Sequence, residues 1–206
     1  MKLYHFTKKD HAMSDISNSW LKIATIEQLN DPFEFYTNIT QKGLDVDESS
    51  LQKIRNKFQD NLGILSFSRY SNSPVQWAHY AEEHKGVCLE FEVPSKIPVE
   101  IKYMDTPLNI ELDDANWEAT YVDSTKAKYE HWSYEDESRI IVNLKSKDVV
   151  KKRGLYFSRF SGDLELKSIV LGVHCHITRR ERDRILEKGI VIHQAKLSRS
   201  EFAIEY

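Results

Sequence analysis

The sequence predicts an α+β protein. Strand-like and helix-like segments are mixed along the chain with no regular βαβ rhythm, which favours α+β over a doubly wound sheet. Of its 206 residues, 40% are hydrophobic and 30% charged, the balance of an ordinary folded chain with apolar material for a core. There are only 7 glycines and 5 prolines. No Gly/Ser-rich or Pro-rich linker divides the chain and no fixed-period repeat is visible, so a single domain over residues 1–206 is expected.

The elements follow in order. Lys2 to Phe6 reads as a first strand and Asp10 to Ser17 as a helix. Trp20 to Ala24 alternates apolar and polar residues as a half-buried strand does. Thr25 and Gln28 form a capping box for a very short helix, which the turn at Asn30-Asp31-Pro32 ends. Asp47 is placed to cap a helix whose apolar stripe is Leu51, Ile54 and Phe58. Leu62 to Ser68 reads as a buried strand. Ser73-Pro74-Val75-Gln76 then opens a helix with a cap, a first-turn proline and Gln at the third position. Trp77, Tyr80, Ala81 and His84 share one face of it, and Gly86 ends it.

Val87, Leu89, Phe91 and Val93 alternate with Cys88, Glu90 and Glu92, a strong strand pattern. Val99, Ile101 and Tyr103 suggest another strand, and Thr106 to Val122 fits neither period. Thr125 to Tyr134 is expected to be helical, and strands are expected within Ser138 to Val142 and Asp163 to Leu171. Thr178 and Glu181 form a second capping box, closed by Gly189. Ile190 to His193 and Phe202 to Ile204 complete the chain as strands.

Composition also excludes function classes. The 29 Lys and Arg against 32 Asp and Glu leave a formal charge of −3, unlike a phosphate-dominated DNA binder. Two cysteines, Cys88 and Cys175, are too few for a disulfide scaffold. No apolar run approaches the roughly 20 residues that cross a bilayer, and MKLYHFTKKDHAMSD has no signal-peptide core. A cytoplasmic protein with reduced thiols and no membrane partner is the expectation. The Gly-rich phosphate loop, CxxC pair, HExxH and GxSxG motifs are missing from the sequence, against P-loop NTPases, common zinc proteases and α/β-hydrolases.

Several short constellations can carry chemistry. His5 and Thr7 lie two residues apart on one strand face, where imidazole and hydroxyl can grip a ribose or a carboxamide. Asn30 to Glu34 is either a structural corner or a loop lining a pocket, with Phe33 as a wall. Ser66 and Ser68 put two hydroxyls on one face of a strand end. Trp77 and Tyr80 lie together on their helix, either as core or as a platform for a planar ring, while His79 points off that face. Tyr134-Glu135-Asp136-Glu137-Ser138-Arg139 is the most charged stretch. In an extended segment Glu135 and Glu137 point the same way, and repulsion raises one pKa. Such an acid pair can steady a developing cation or take a proton, or it is a solvated charge run. His174-Cys175-His176 supplies too few local ligands for zinc, so no metal is expected. Arg179, Arg180, Arg182 and Arg184 give one helix a basic face, open to solvent or to an acidic partner.

The ordered set Tyr4-His5-Phe6-Thr7, Asn30-Asp31-Pro32-Phe33-Glu34, Leu65-Ser66-Phe67-Ser68, Trp77-x-His79-Tyr80-Ala81-x-x-His84-x-Gly86-Val87-Cys88-Leu89-Glu90-Phe91 and Trp132-x-Tyr134-Glu135-x-Glu137-x-Arg139-Ile140 spans about residues 3 to 172. It resembles an uncharacterised bacterial domain family that begins with a YHYT-like strand and is grouped with ADP-ribosyltransferase-like folds. The resemblance implies mostly antiparallel sheets and short helices around a central cleft, with NAD as substrate and a protein or nucleic-acid acceptor. It implies an enzyme of the defence or toxin-effector kind. His5 would bind the ribose or nicotinamide side of NAD, and Ser66 and Ser68 would support the cofactor. Tyr80 would stack on nicotinamide, with Thr7, Trp77, His79 and Arg139 completing the cofactor-binding set. Glu137 would hold the ribose and steady the oxocarbenium-like transition state, and Glu135 would orient the acceptor, their order being open. The alternatives are a non-enzymatic binding or regulatory module, and a nucleic-acid-directed enzyme using the Arg179 to Arg184 face.

Overall fold

A seven-stranded sheet holds the centre of the protein. Its strands run in the order Val191–Gln194, Glu165–Leu171, Val87–Glu92, Lys2–Thr7, Leu62–Ser68, Glu137–Asn143, Val99–Glu100. All neighbours are antiparallel except the edge pair Val191–Gln194 and Glu165–Leu171, which is parallel. With short helices packed around it, the molecule is α+β with mostly antiparallel pairing, as the mixed segments predict. The computed structural model describes residues 1–34, 38–41, 43–112 and 117–206.

Helix α1 (Lys9–Asn18) and the expected strand at Trp20–Ile23 follow the first strand. Helix α2 (Glu48–Asn61) is capped by Asp47, whose carboxylate accepts from Ser49 N at 3.0 Å and Ser50 N at 3.1 Å. Helix α3 (Pro74–Tyr80) starts at Ser73 with Pro74 in its first turn. Helix α4 spans Trp117–Ser124, starting within the Thr106 to Val122 stretch that fits neither period and running past its end, and residues 113–116 of that stretch lie outside the described residues. Helix α5 (Arg179–Glu187) has its full capping box at Thr178 and Glu181 and ends before Gly189, whose φ is +73°.

The sheet has apolar packing on both faces. Leu3, Leu65, Phe67, Leu89, Phe91 and Ile169 meet Ala12 and Ile16 of α1, Ile185 of α5, and Leu21 and Ile23. The other face joins Cys88 and Val170 to Trp77, Ala81 and Ile204. The alternation from Val87 to Val93 therefore separates two cores rather than core from water. Glu90 is buried on the second side and takes Lys2 Nζ at 2.9 Å. A third cluster of Phe58, Leu62 and Ile64 seats α2 against the strand it precedes.

Several expectations need correction. Thr125 to Tyr134 is not one helix. Ala127–Tyr129 pairs in parallel with Lys102–Met104, and only Glu130–Glu135 forms a helical turn of 3₁₀ type. The pull is tertiary: the strand delivers Lys128 to a cluster of buried acids. The expected strand through Val99, Ile101 and Tyr103 breaks at Ile101. Val99–Glu100 edges the main sheet, while Lys102–Met104 leaves it. The hairpin of Val149–Lys152 and Leu155–Arg159, which pairs onward to Trp20–Ile23, was not foreseen. Its turn residues Arg153 and Gly154 have φ of +51° and +80°, the signature of a tight hairpin turn. The last strand is Ile204–Glu205, and Phe202 stands fully exposed before it. Among the described residues no helix is long and apolar enough to cross a membrane.

Candidate functional site: an acid-rich cleft

Three adjacent strands set the floor of the site. Their register places Tyr4 opposite Ser68 and Ser68 opposite Glu137, so these residues line up across the sheet. Two rungs away, on the same face, Ser66 stands opposite Arg139. A cavity of about 130 Å3 opens here, and His5, Ser66, Ser68, Tyr80, Glu135 and Glu137 all line it. Segments more than a hundred residues apart therefore converge on one hollow.

The two acids arrive by a different route from simple alternation. Glu135 ends the 3₁₀ turn, Asp136 bends the chain in the left-handed region at φ +44°, and Glu137 opens its strand. Arg69 secures the bend, its Nε donating to Asp136 Oδ1 at 2.9 Å. The left-handed residue brings both carboxylates to one cavity without an extended segment between them.

Around these acids lies a buried ion network. Arg139, with no exposed surface, donates Nε to Glu137 Oε1 at 2.8 Å and Nη2 to Glu137 Oε2 at 2.9 Å. The same guanidinium donates Nη1 to Glu34 Oε2 at 2.9 Å, Nη2 to Glu34 Oε1 at 2.5 Å, and Nη1 to the Thr125 carbonyl at 3.1 Å. Every donor of the fork is used. Lys128 Nζ reaches Glu135 Oε2 at 2.5 Å, Glu137 Oε2 at 3.2 Å and Glu34 Oε1 at 3.5 Å. The Tyr80 hydroxyl donates to Glu135 Oε1 and accepts from Asn30 Nδ2 at 3.2 Å.

The two carboxylates differ in proton affinity for identifiable reasons. Burial alone would raise Glu137, but the Arg139 charge and hydrogen bonds, with Lys128, outweigh it and hold the carboxyl at about 2. Burial raises Glu135, and its Lys128 and Tyr80 contacts offset this only in part. Burial and the Glu135 carboxylate push the Tyr80 hydroxyl upward, so it remains a donor. His5 is lowered by burial, and its Nδ1 donates to the Ser66 carbonyl at 2.9 Å. A carbonyl only accepts, so the neutral ring keeps Nε2 as an acceptor.

The remaining residues expected at the site lie elsewhere. Trp77 is fully buried against Phe6 at 5.2 Å, and its indole donates to the Ser71 carbonyl at 2.7 Å. It supports α3 from the core and does not line the cavity, because the helix turns Gln76 and Tyr80 toward it instead. His79 is on the outside, 3.0 Å from the Tyr134 hydroxyl. Thr7 is buried on the rung opposite Val87. Arg139 stands behind Glu137 rather than in the cavity wall. The Asn30 to Glu34 loop does line the cleft through Asn30 and Glu34, while Phe33 borders a neighbouring cavity of about 350 Å3. Lys128 lines both cavities. The arginines Arg179, Arg180, Arg182 and Arg184 are exposed on α5 and line neither.

Three functional candidates escaped the sequence reading: Glu34 as an ion-pair partner, Lys128 and Gln76. Glu34 sits in a motif that reads as a turn, and Lys128 in a stretch that reads as a helix. Gln76 looks like half of a capping box. Its backbone N does face Ser73 Oγ at 3.4 Å, but its side chain leaves the helix end. Gln76 Nε2 donates to Ser68 Oγ at 3.1 Å, the Tyr134 carbonyl at 3.1 Å and the Glu135 carbonyl at 2.5 Å. No local pattern announces contacts 58 and 59 residues away.

No protein-family model matches the chain, and neither the curated proteins nor the solved structures contain a match to it.

Proposed function

We propose that the cleft binds the nicotinamide-ribose end of NAD and that the protein is an ADP-ribosyltransferase-like enzyme, transferring ADP-ribose to a protein or nucleic-acid acceptor. The observation that carries this reading is the convergence of His5, Ser66, Tyr80, Glu135 and Glu137 on one cavity. Breaking the nicotinamide–ribose bond builds positive charge on the sugar. A carboxylate held ionised in a water-poor site stabilises that charge far better than solvent does. Glu137 has that character, since its pKa of about 2 keeps it anionic throughout the physiological range. Tyr80 offers a ring beside the leaving group and a hydroxyl bonded to Glu135. His5 and the two serines supply polar groups for ribose hydroxyls. Glu135, with its raised proton affinity, is the group suited to the acceptor's proton.

At about 130 Å3 the cavity is smaller than the roughly 300–1,000 Å3 of a drug-sized ligand site. It fits the nicotinamide end, and in this reading the rest of the dinucleotide crosses Lys128 toward the neighbouring cavity. Incubation of the full chain with NAD is expected to release nicotinamide, or to transfer label to protein or nucleic acid. Glu137→Gln is expected to cut the rate by about 10²-fold or more, in the range of losing one preorganised electrostatic group. If neither signal is seen, and Glu137→Gln binds NAD as the parent does, the proposal fails.

A second reading stands on a different observation: Lys128 and Arg139 already engage all three carboxylates of the ion network, Glu34, Glu135 and Glu137. A site whose charged groups are already paired with one another suits a binding module that recognises a ligand without turning it over. NAD binding with unchanged NAD after prolonged incubation is the result expected for that reading.

A further inference from the structure

Gln76 is 2% exposed and lines the cleft. Its amide orientation follows from its partners. Two of them are carbonyl oxygens, which only accept, so the NH2 group faces them and the oxygen faces away. That oxygen, Oε1, is buried and has no hydrogen-bond partner among the described residues. Buried side-chain acceptors are nearly always paired, and an orphan beside a cavity calls for a donor that enters with a ligand. The charges around it agree. Glu34, Glu135 and Glu137 face Lys128 and Arg139, three acids against two bases, so among the described residues the ion network has no spare cation for an anionic group.

We infer that Gln76 is a specificity-determining residue whose Oε1 accepts a hydrogen bond from the primary carboxamide of an aromatic ligand. The inference rests on reading the cleft as the site for the nicotinamide end of NAD, and names the group that is recognised there. A carboxamide NH2 satisfies the orphan oxygen. A carboxylate cannot, because it only accepts and adds a negative charge beside the acids. A neutral ester of the same size also lacks the donor. The same Gln76 amide ties α3 to the carbonyl of Glu135, so recognition is built onto the acid-bearing turn.

The test is a titration of the full chain, by calorimetry or ligand-observed NMR, with nicotinamide, nicotinate and methyl nicotinate. Nicotinamide is expected to bind at least about tenfold more tightly than either competitor, the factor for leaving one buried acceptor unpaired. Equal binding of methyl nicotinate, or no nicotinamide binding at all, overturns the inference. Gln76→Met is expected to abolish the discrimination between amide and ester, and a folded variant that keeps it also overturns the inference. Should that variant fail to fold, the wild-type series still decides. Discrimination without NAD turnover sustains the inference while removing the transferase reading. Turnover without discrimination does the reverse.

Discussion

At the scale of single residues, Glu137 shows how one carboxyl takes its character from its neighbours. Its folded pKa of about 2 lies below the ordinary value of 4.5. A depressed carboxyl adds stability that is fully present above the unfolded value and is lost as pH falls toward the folded one. The window is therefore about pH 4.5 down to 2, and the amount at stake is about 3 kcal/mol. Urea unfolding of the parent is expected to weaken steeply across that window. Glu137→Gln is expected to lose this part of the acid dependence, while being less stable near neutrality because Arg139 loses one of its two buried carboxylate partners and keeps only Glu34. Parallel pH profiles for the two proteins would contradict the assignment. Glu135 works in the opposite sense, since burial raises its carboxyl and its ionisation costs stability as pH rises.

Among the elements, the exit from α3 is the most constrained. Glu82, Glu83 and His84 have φ of +50°, +53° and +67°, three consecutive non-glycine residues in the left-handed region. Such conformations persist where surrounding contacts over-determine them. Here Gly86 N donates to the Ala81 carbonyl at 2.7 Å, and His174 N donates to the His84 carbonyl at 3.0 Å. Gly86 is required by space rather than by dihedral angle. A Cβ there would lie 2.4 Å from the Thr7 carbonyl oxygen and 2.8 Å from that of Ala81, both backbone atoms with little room to yield. Gly86→Ala is expected to cost roughly 2–4 kcal/mol in chemical denaturation. It is also expected to disturb Tyr80, which ends the helix this loop anchors. A loss below about 0.5 kcal/mol would show that the close approach relaxes freely.

Across the whole molecule, a series of aromatic edges links the cleft to the main core. His5 meets Phe67 at 5.9 Å, Phe67 meets Phe91 at 5.7 Å, and Phe91 meets Phe160 at 5.4 Å. Phe91 is fully buried at the centre of this series. Phe91→Ala is expected to cost about 3–5 kcal/mol, from lost transfer energy and the cavity left behind. The denaturation midpoint should fall with the slope unchanged. Because the series ends on His5, the variant is also expected to weaken ligand binding in the cleft. Full stability in Phe91→Ala would mean that this series of rings carries less of the core's stability than its packing shows.

Much of the local structure was legible in the amino-acid order, because its causes are local. Asp47, Ser73 and Thr178 mark helix starts since each hydroxyl or carboxylate satisfies amide groups two or three residues away. The alternation from Val87 to Val93 reports the pleat of a strand, and the charged stretch at Glu135 to Glu137 already stood out as the chemical centre. What the order of residues could not reveal is who meets whom at long range. The Glu34 carboxylate lies 105 positions from the Arg139 it binds, and Gln76 reaches over 59 positions to the carbonyl of Glu135. Ion pairs and amide contacts of this kind leave no periodic trace, and their energy overrode local propensity where Lys128 was drawn into a strand. Residue sequence by itself determined the caps, the strongly alternating strands and the types of groups present. Tertiary structure alone decided that Tyr80, Glu135 and Glu137 share a hollow while Trp77, His79 and Thr7 do not, because sheet register and one left-handed residue at Asp136 set the directions in which those side chains point.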